Sequence, residues 1–150
     1  MNFCFKEKED NILKVVWNKL NRQYFPDYDL YDYKVVWSNR RQKRTLASCN
    51  VKKRIVRVAG ELNYNEHYKW LAPLLHHEMC HAVMAEGAID SNGKFKRKIR
   101  WHGKDFKKLE RSHPLYNDFQ FWIKSGGWQR AIRSARTKEW WKKVKNVFKI

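Results

Sequence analysis

Cysteine is scarce in this chain. Cys4, Cys49 and Cys80 form no C-x-x-C pair, so the sequence supports neither a disulfide framework nor a thiolate zinc site. Long apolar runs are missing too: the longest, Trp70 to Leu75, is far too short to cross a bilayer. The first ten residues include Lys6, Glu7, Lys8, Glu9 and Asp10 where an export signal needs an apolar stretch, so a reducing cytoplasm is the expected compartment, with nucleoid association as an option. Acidic groups are few, 15 against 33 Lys and Arg, leaving a net charge of +18.

That charge is uneven. Residues 1–92 carry a net +4 and residues 93–150 a net +14. A basic C-terminal half points to a polyanionic partner, because each phosphate it neutralises releases condensed counterions. The plainer alternative is a solvated basic face. Aromatics are abundant at 15%, with eight Trp among 150 residues, enough for one domain with a heavy core and an appendage.

The segment His76-His77-Glu78-Met79-Cys80-His81 contains H-E-x-x-H. Residues four apart share one face of a helix, so His77 and His81 can aim imidazole nitrogens at one Zn²⁺ while Glu78 stands ready as a base. A shuffled chain of this composition would contain the motif about once in a hundred. Leu71, Leu74, Leu75, Ala82 and Val83 supply apolar flanks that bury such a helix, and Pro73 marks its start or a kink.

Around the motif the pattern is α+β. Ile12, Leu13, Val16 and Leu20 predict an amphipathic helix over residues 7–25, stopped by Pro26. Strands are expected at Tyr33–Trp37, Thr45–Asn50 and Arg54–Val58, joined by short polar connections that suit antiparallel hairpins. The motif helix should end near Glu86, followed by a loop through Ser91-Asn92-Gly93. A short helix follows His102-Gly103 and stops at His113-Pro114. Gly126-Gly127 divides the remainder, whose last piece, Ala135 to Phe148, places Trp140, Trp141, Val144 and Phe148 on one side.

A catalytic zinc takes three protein ligands and keeps one position open. His102, Asp105, Glu110 and His113 are the downstream candidates. His102 leads, because Gly103 lets the backbone turn beside it and Phe106 can anchor the following helix. His113 reads better as a helix-end residue, His76 as structural, His67 as exposed and Cys80 as a small buried hydrophobe. An edge strand such as Arg54–Val58 could pair with the backbone of an extended substrate.

These residues resemble the SprT-like family, which includes Spartan-type DNA–protein crosslink proteases. The likeness runs through Tyr24-Phe25, Val35-Val36-Trp37-Ser38, Ser48-Cys49 to Arg57, Leu62-Asn63 and the helix from Glu66 to Val83. It closes on Leu74 to Ala82 and on Trp101-His102-Gly103-Lys104-Asp105-Phe106, where His-Gly-x-x-Phe is the distinctive element. The resemblance implies a minimal zincin-like fold over residues 1–115, zinc on His77, His81 and His102, and Glu78 as the catalytic base. Bacterial SprT proteins often carry a C-terminal cysteine zinc ribbon, whereas Cys80 is the last cysteine here; the basic, Trp-rich extension over 116–150 resembles the tail of short prokaryotic or archaeal forms.

The expected activity is therefore zinc-dependent proteolysis of proteins bound or crosslinked to DNA. The basic groups would contact phosphates, and Trp122, Trp128, Trp140 and Trp141 could stack on unpaired bases or pack on their own domain. The alternative from another class is a nucleic-acid-associated binding protein, linked to transcription, with a structural zinc. A generic zinc peptidase with a solubilising tail, or a tail that lies on anionic lipid, is a further option.

Overall fold

The computed structural model describes residues 3–148 apart from 93 and 97, with side chains from residue 12 onward. Gly93 of the expected turn, and Cys4 with the charged cluster near the N-terminus, thus lie outside what is described at side-chain level.

Helix α1 (Phe3–Tyr24) buries Leu13, Trp17 and Leu20, which recur one turn apart on one face. In its last turn, buried Asn21 organises the exit loop. Its amide donates to the carbonyls of Phe25 and Tyr28 at 2.9 and 2.8 Å, and its oxygen accepts from the Leu30 N–H at 3.0 Å. Trp17 Nε1 donates to Leu30 O at 2.8 Å. The loop is thereby fixed where the first strand begins.

The sheet comprises β1 (Lys34–Ser38), β2 (Ala47–Asn50) and β3 (Ile55–Ala59), in the order β1-β3-β2. β2 and β3 form the expected antiparallel hairpin, with Cys49 opposite Val56. β1 does not: it runs parallel to β3, with Val35 beside Val56. The connection over residues 39–46 crosses β3 and sets β2 on its far side. The sheet is therefore mixed rather than antiparallel, and Arg54–Val58 falls at its centre rather than its edge. Arg54, at φ 54°, closes the β2–β3 turn and binds both Asp32 and Glu86, with its guanidinium 4.5 Å from the Tyr33 ring centroid.

Two 3₁₀ turns, Gly60–Leu62 and Asn65–Trp70, lead into α2 (Leu71–Glu86). Pro73 occupies the first turn of α2, where no intrahelical donor is required, so it starts the helix without kinking it. α2 packs its apolar side on α1 and β2, with Leu71, Leu75, Met79 and Ala82 fully buried. After a loop come α3 (Lys104–Glu110), α4 (Tyr116–Lys124) and α5 (Gly127–Phe148). No helix among the described residues is long and apolar enough to cross a membrane.

The last helix begins at Gly127, well before Ala135. Gly126 adopts φ 87°, and a Cβ on Gly127 would fall 2.3 Å from the Trp122 indole, so both glycines serve the close α4–α5 turn. Phe119, Trp128 and Ala131 join the core. Trp122 packs on Trp70 and Phe119, with centroids 5.4 and 5.9 Å apart. These two indoles, Trp122 and Trp128, are packing residues rather than free stacking platforms. Trp140 and Trp141 differ: they touch each other at 4.8 Å yet remain 56% and 52% exposed.

α5 is held by charge. The buried carboxylate of Glu61 accepts from Arg136 and from the Gln42 N–H, both at 2.9 Å, while Arg41 pairs with Glu139 and Lys138 with Glu66. These contacts join α5 to the β1–β2 connection and the 3₁₀ segment.

Candidate metal centre

The helical spacing of α2 brings His77 and His81 onto one face, ring centroids 5.2 Å apart. His102 arrives from a separate element. The turn from Arg100 to Gly103 puts His102 in the left-handed region at φ 64°, a costly conformation for a residue with a side chain. Gly103 donates to Arg100 O at 3.1 Å, and a Cβ on Gly103 would crowd that oxygen at 3.1 Å. The glycine thus permits the tight turn that delivers the imidazole.

In consequence His102 stands 5.4 Å from His77 and 5.0 Å from His81, centroid to centroid. One nitrogen from each of the three rings lies within 4.8 Å of the others, the one such cluster among the described residues. Phe106 is the floor. Fully buried, it touches all three rings, at 5.1, 4.5 and 4.9 Å from His77, His81 and His102. His77 and His81 are half-buried and His102 is exposed, so the cluster opens to solvent on one side.

These groups fit a zinc ion. Tetrahedral bonds of about 2.0 Å need donors about 3.3 Å apart, so the nitrogens, within 4.8 Å of one another here, would draw closer around the ion. His77 Nδ1 lies 2.8 Å from Glu110 Oε1. With that carboxylate accepting from Nδ1–H, Nε2 is left as the metal donor and the ring is held in place. Burial is the largest influence and disfavours charge on both partners, but their hydrogen bond together with the surrounding opposite charges outweighs it: His77, facing Glu78 and Glu110, is held above the usual imidazole range, and Glu110, facing His77, His102 and His76, below the usual carboxylate range. Burial, followed by the charges of His77 and His102, lowers His81 to about 4, keeping it neutral as a ligand must be.

Glu78 is 5% exposed, and burial pushes its carboxyl up to about 7 against the opposing pull of His77. That holds for the metal-free protein; the charge of a bound ion would draw the carboxyl down toward the ionised form a base requires.

Glu110 is thus a partner of a candidate ligand rather than a ligand. Its position was legible in one respect: four residues after Phe106, it shares the face of α3 that meets α2. Asp105 lies outside the cluster and is exposed. His113 stands just past the end of α3, as expected, and is buried; its Nδ1 accepts from the Leu115 N–H at 3.1 Å, and its ring packs on His76 at 5.1 Å. His76 is structural as expected, stacked on Phe25 at 5.5 Å, with burial and then the charge of His113 lowering it to about 4. His67, expected in solvent, has a side chain only 12% exposed and packs toward Trp122. Cys80 is fully buried.

A family model described as SprT-like matches residues 13–122, from the middle of α1 to the end of α4. The chain belongs to the SprT-like family. Comparison with curated proteins and with solved structures returns no match. Family membership carries the metallopeptidase sense that the sequence resemblance implied, and the three clustered imidazoles lie within the matched span.

In this SprT-like chain the cleft around the histidines runs between α2 and β2. On one side it is lined by Ser48 to Lys52, Phe95, Trp101 and His102. On the other it deepens between α2 and α4. His77, Glu78 and Ala47 border both parts. The strand flanking the site is therefore β2 (Ala47–Asn50), at the edge of the sheet, whereas Arg54–Val58, expected at an edge, lies at its centre.

Proposed function

We propose that this protein is a zinc-dependent endopeptidase of zincin-like architecture, cytoplasmic, acting on proteins bound or crosslinked to DNA. The observation that carries the reading is the convergence of His77, His81 and His102 beside the buried carboxylate of Glu78. The three imidazoles would hold the ion. When bound, zinc supplies Lewis acidity, polarising a peptide carbonyl and making water acidic. Glu78 takes a proton from the attacking water at its carboxylate and passes it to the leaving amine. Glu110 holds His77 in the right tautomer, and the open edge of β2 pairs with an extended substrate backbone.

A structural ion is closed by four protein ligands. Among the described residues the cluster offers three histidines with an open side, which supports catalysis over the structural-zinc reading.

DNA is the proposed partner of the basic extension at 116–150. Exposed Lys142, Lys143 and Lys145 accompany the exposed Trp140 and Trp141 on α5, so phosphate contact and indole stacking are available together. Incubation with a DNA-crosslinked protein, with and without free DNA and chelator, tests the proposal. Cleavage that needs DNA and stops on chelation is expected. Equal cleavage without DNA would remove the DNA-directed part, and zinc-loaded protein that cleaves nothing would remove the peptidase.

A further inference from the structure

The deeper half of the cleft is a pocket of about 420 Å³ between α2, α4 and the strand that begins at Ala47. Pro73, Leu74 and Phe119 give it buried apolar walls, and Leu46 and Ile123 add half-buried ones. Exposed Arg44 and Thr45 stand on its rim. The same pocket is bordered by His77 and Glu78, so any group inside it lies next to the reacting bond. On its lining, Glu110 Oε1 is engaged by His77 Nδ1 and His113 Nδ1 by the Leu115 N–H, and half-buried Tyr116 and Gln120 add further polar groups.

We infer that this pocket is a specificity site that receives one large apolar side chain, Leu or Phe in class, flanking the scissile peptide bond. The inference rests on the peptidase reading and adds its substrate preference. A main chain paired along β2 presents alternate side chains to the same side. The one beside the cleaved bond then enters a space lined more by apolar than by polar surface, where a Leu or Phe leaves water, while a Glu or Lys would exchange full hydration for the few polar groups of its lining, Arg44, Tyr116 and Gln120 among them. The volume exceeds that of any single side chain, so Ala would leave it largely wet. α4 supplies Phe119 and Ile123, and the preference is thus set by residues beyond the H-E-x-x-H helix.

The test uses zinc-loaded full-length protein and a peptide panel varying each position beside the cleaved bond among Phe, Leu, Ala, Glu and Lys. Phe or Leu at one position should raise kcat/KM at least about tenfold over Ala. Ile123→Trp, which shortens the pocket, should reduce that ratio about tenfold. In parallel, Glu78→Gln protein is titrated with the Phe and Ala peptides, and the methyl resonances of Leu74 and Ile123 should shift with Phe alone. Flat selectivity, a preference for Glu through Arg44, or methyl shifts indifferent to the peptide would each overturn the pocket assignment. Phe-specific methyl shifts in a protein that cleaves no peptide would sustain the pocket and overturn the peptidase reading instead.

Discussion

On the proposed mechanism Glu78 carries two opposite demands. It exchanges protons with water, and it does so from a position only 5% exposed. Burial raises its folded pKa from 4.5 to about 7. In the metal-free protein the sign follows: this group's contribution to stability is fully present below pH 4.5 and is lost as pH rises through about 7. Glu78→Gln removes an ionised buried group, so chelated variant protein should gain about 1–3 kcal/mol over the parent at pH 8 and little at pH 4.5, read by urea unfolding. The same substitution should cut kcat about 10²–10⁴-fold. Glu110 acts through His77. Glu110→Gln keeps the shape but weakens the hold on Nδ1–H, and zinc affinity measured by competition with a chelating dye should fall about 10–100-fold. Unchanged affinity would mean that the 2.8 Å contact does not orient the ligand.

The elements divide by how locally they are determined. The α2 pair His77 and His81 was legible because four-residue spacing needs nothing beyond a helix. His102 was legible as a residue, through the glycine after it, but its φ of 64° reflects a turn that only the folded loop reveals. The parallel pairing of β1 with β3 could not be read, since short polar connections fit a hairpin and a crossover equally well. Likewise Trp122 and Trp128 look like Trp140 and Trp141 in sequence; only the packing of α4 and the start of α5 on the core buries Trp128 and half-buries Trp122, and leaves the second pair in water. The docking of α5 rests on Arg136, which reaches the 4% exposed side chain of Glu61. Arg136→Ala leaves that carboxylate buried with only the Gln42 N–H and should cost about 2–4 kcal/mol in unfolding experiments. Pairing Glu61→Gln with Arg136→Met should recover much of the loss.

Across the molecule, charge and chemistry overlap along the chain only in residues 93–123. The histidine cluster and its cleft use residues 44–123, whereas the excess of positive charge lies in residues 93–150, at a net +14. DNA binding by that half should weaken steeply with salt, losing about 10³-fold or more between 50 and 200 mM, with the log–log slope reduced when Lys142, Lys143 and Lys145 become Gln. Fluorescence anisotropy with labelled DNA measures both; a slope near zero would contradict phosphate contact.

Zinc K-edge X-ray absorption on purified protein tests the centre most directly. One zinc per chain is expected, with three imidazole nitrogens and one oxygen neighbour at about 2.0 Å, and the imidazole count falling to two in His102→Ala. Sulfur at about 2.3 Å, or a spectrum that His102→Ala leaves unchanged, would contradict the account.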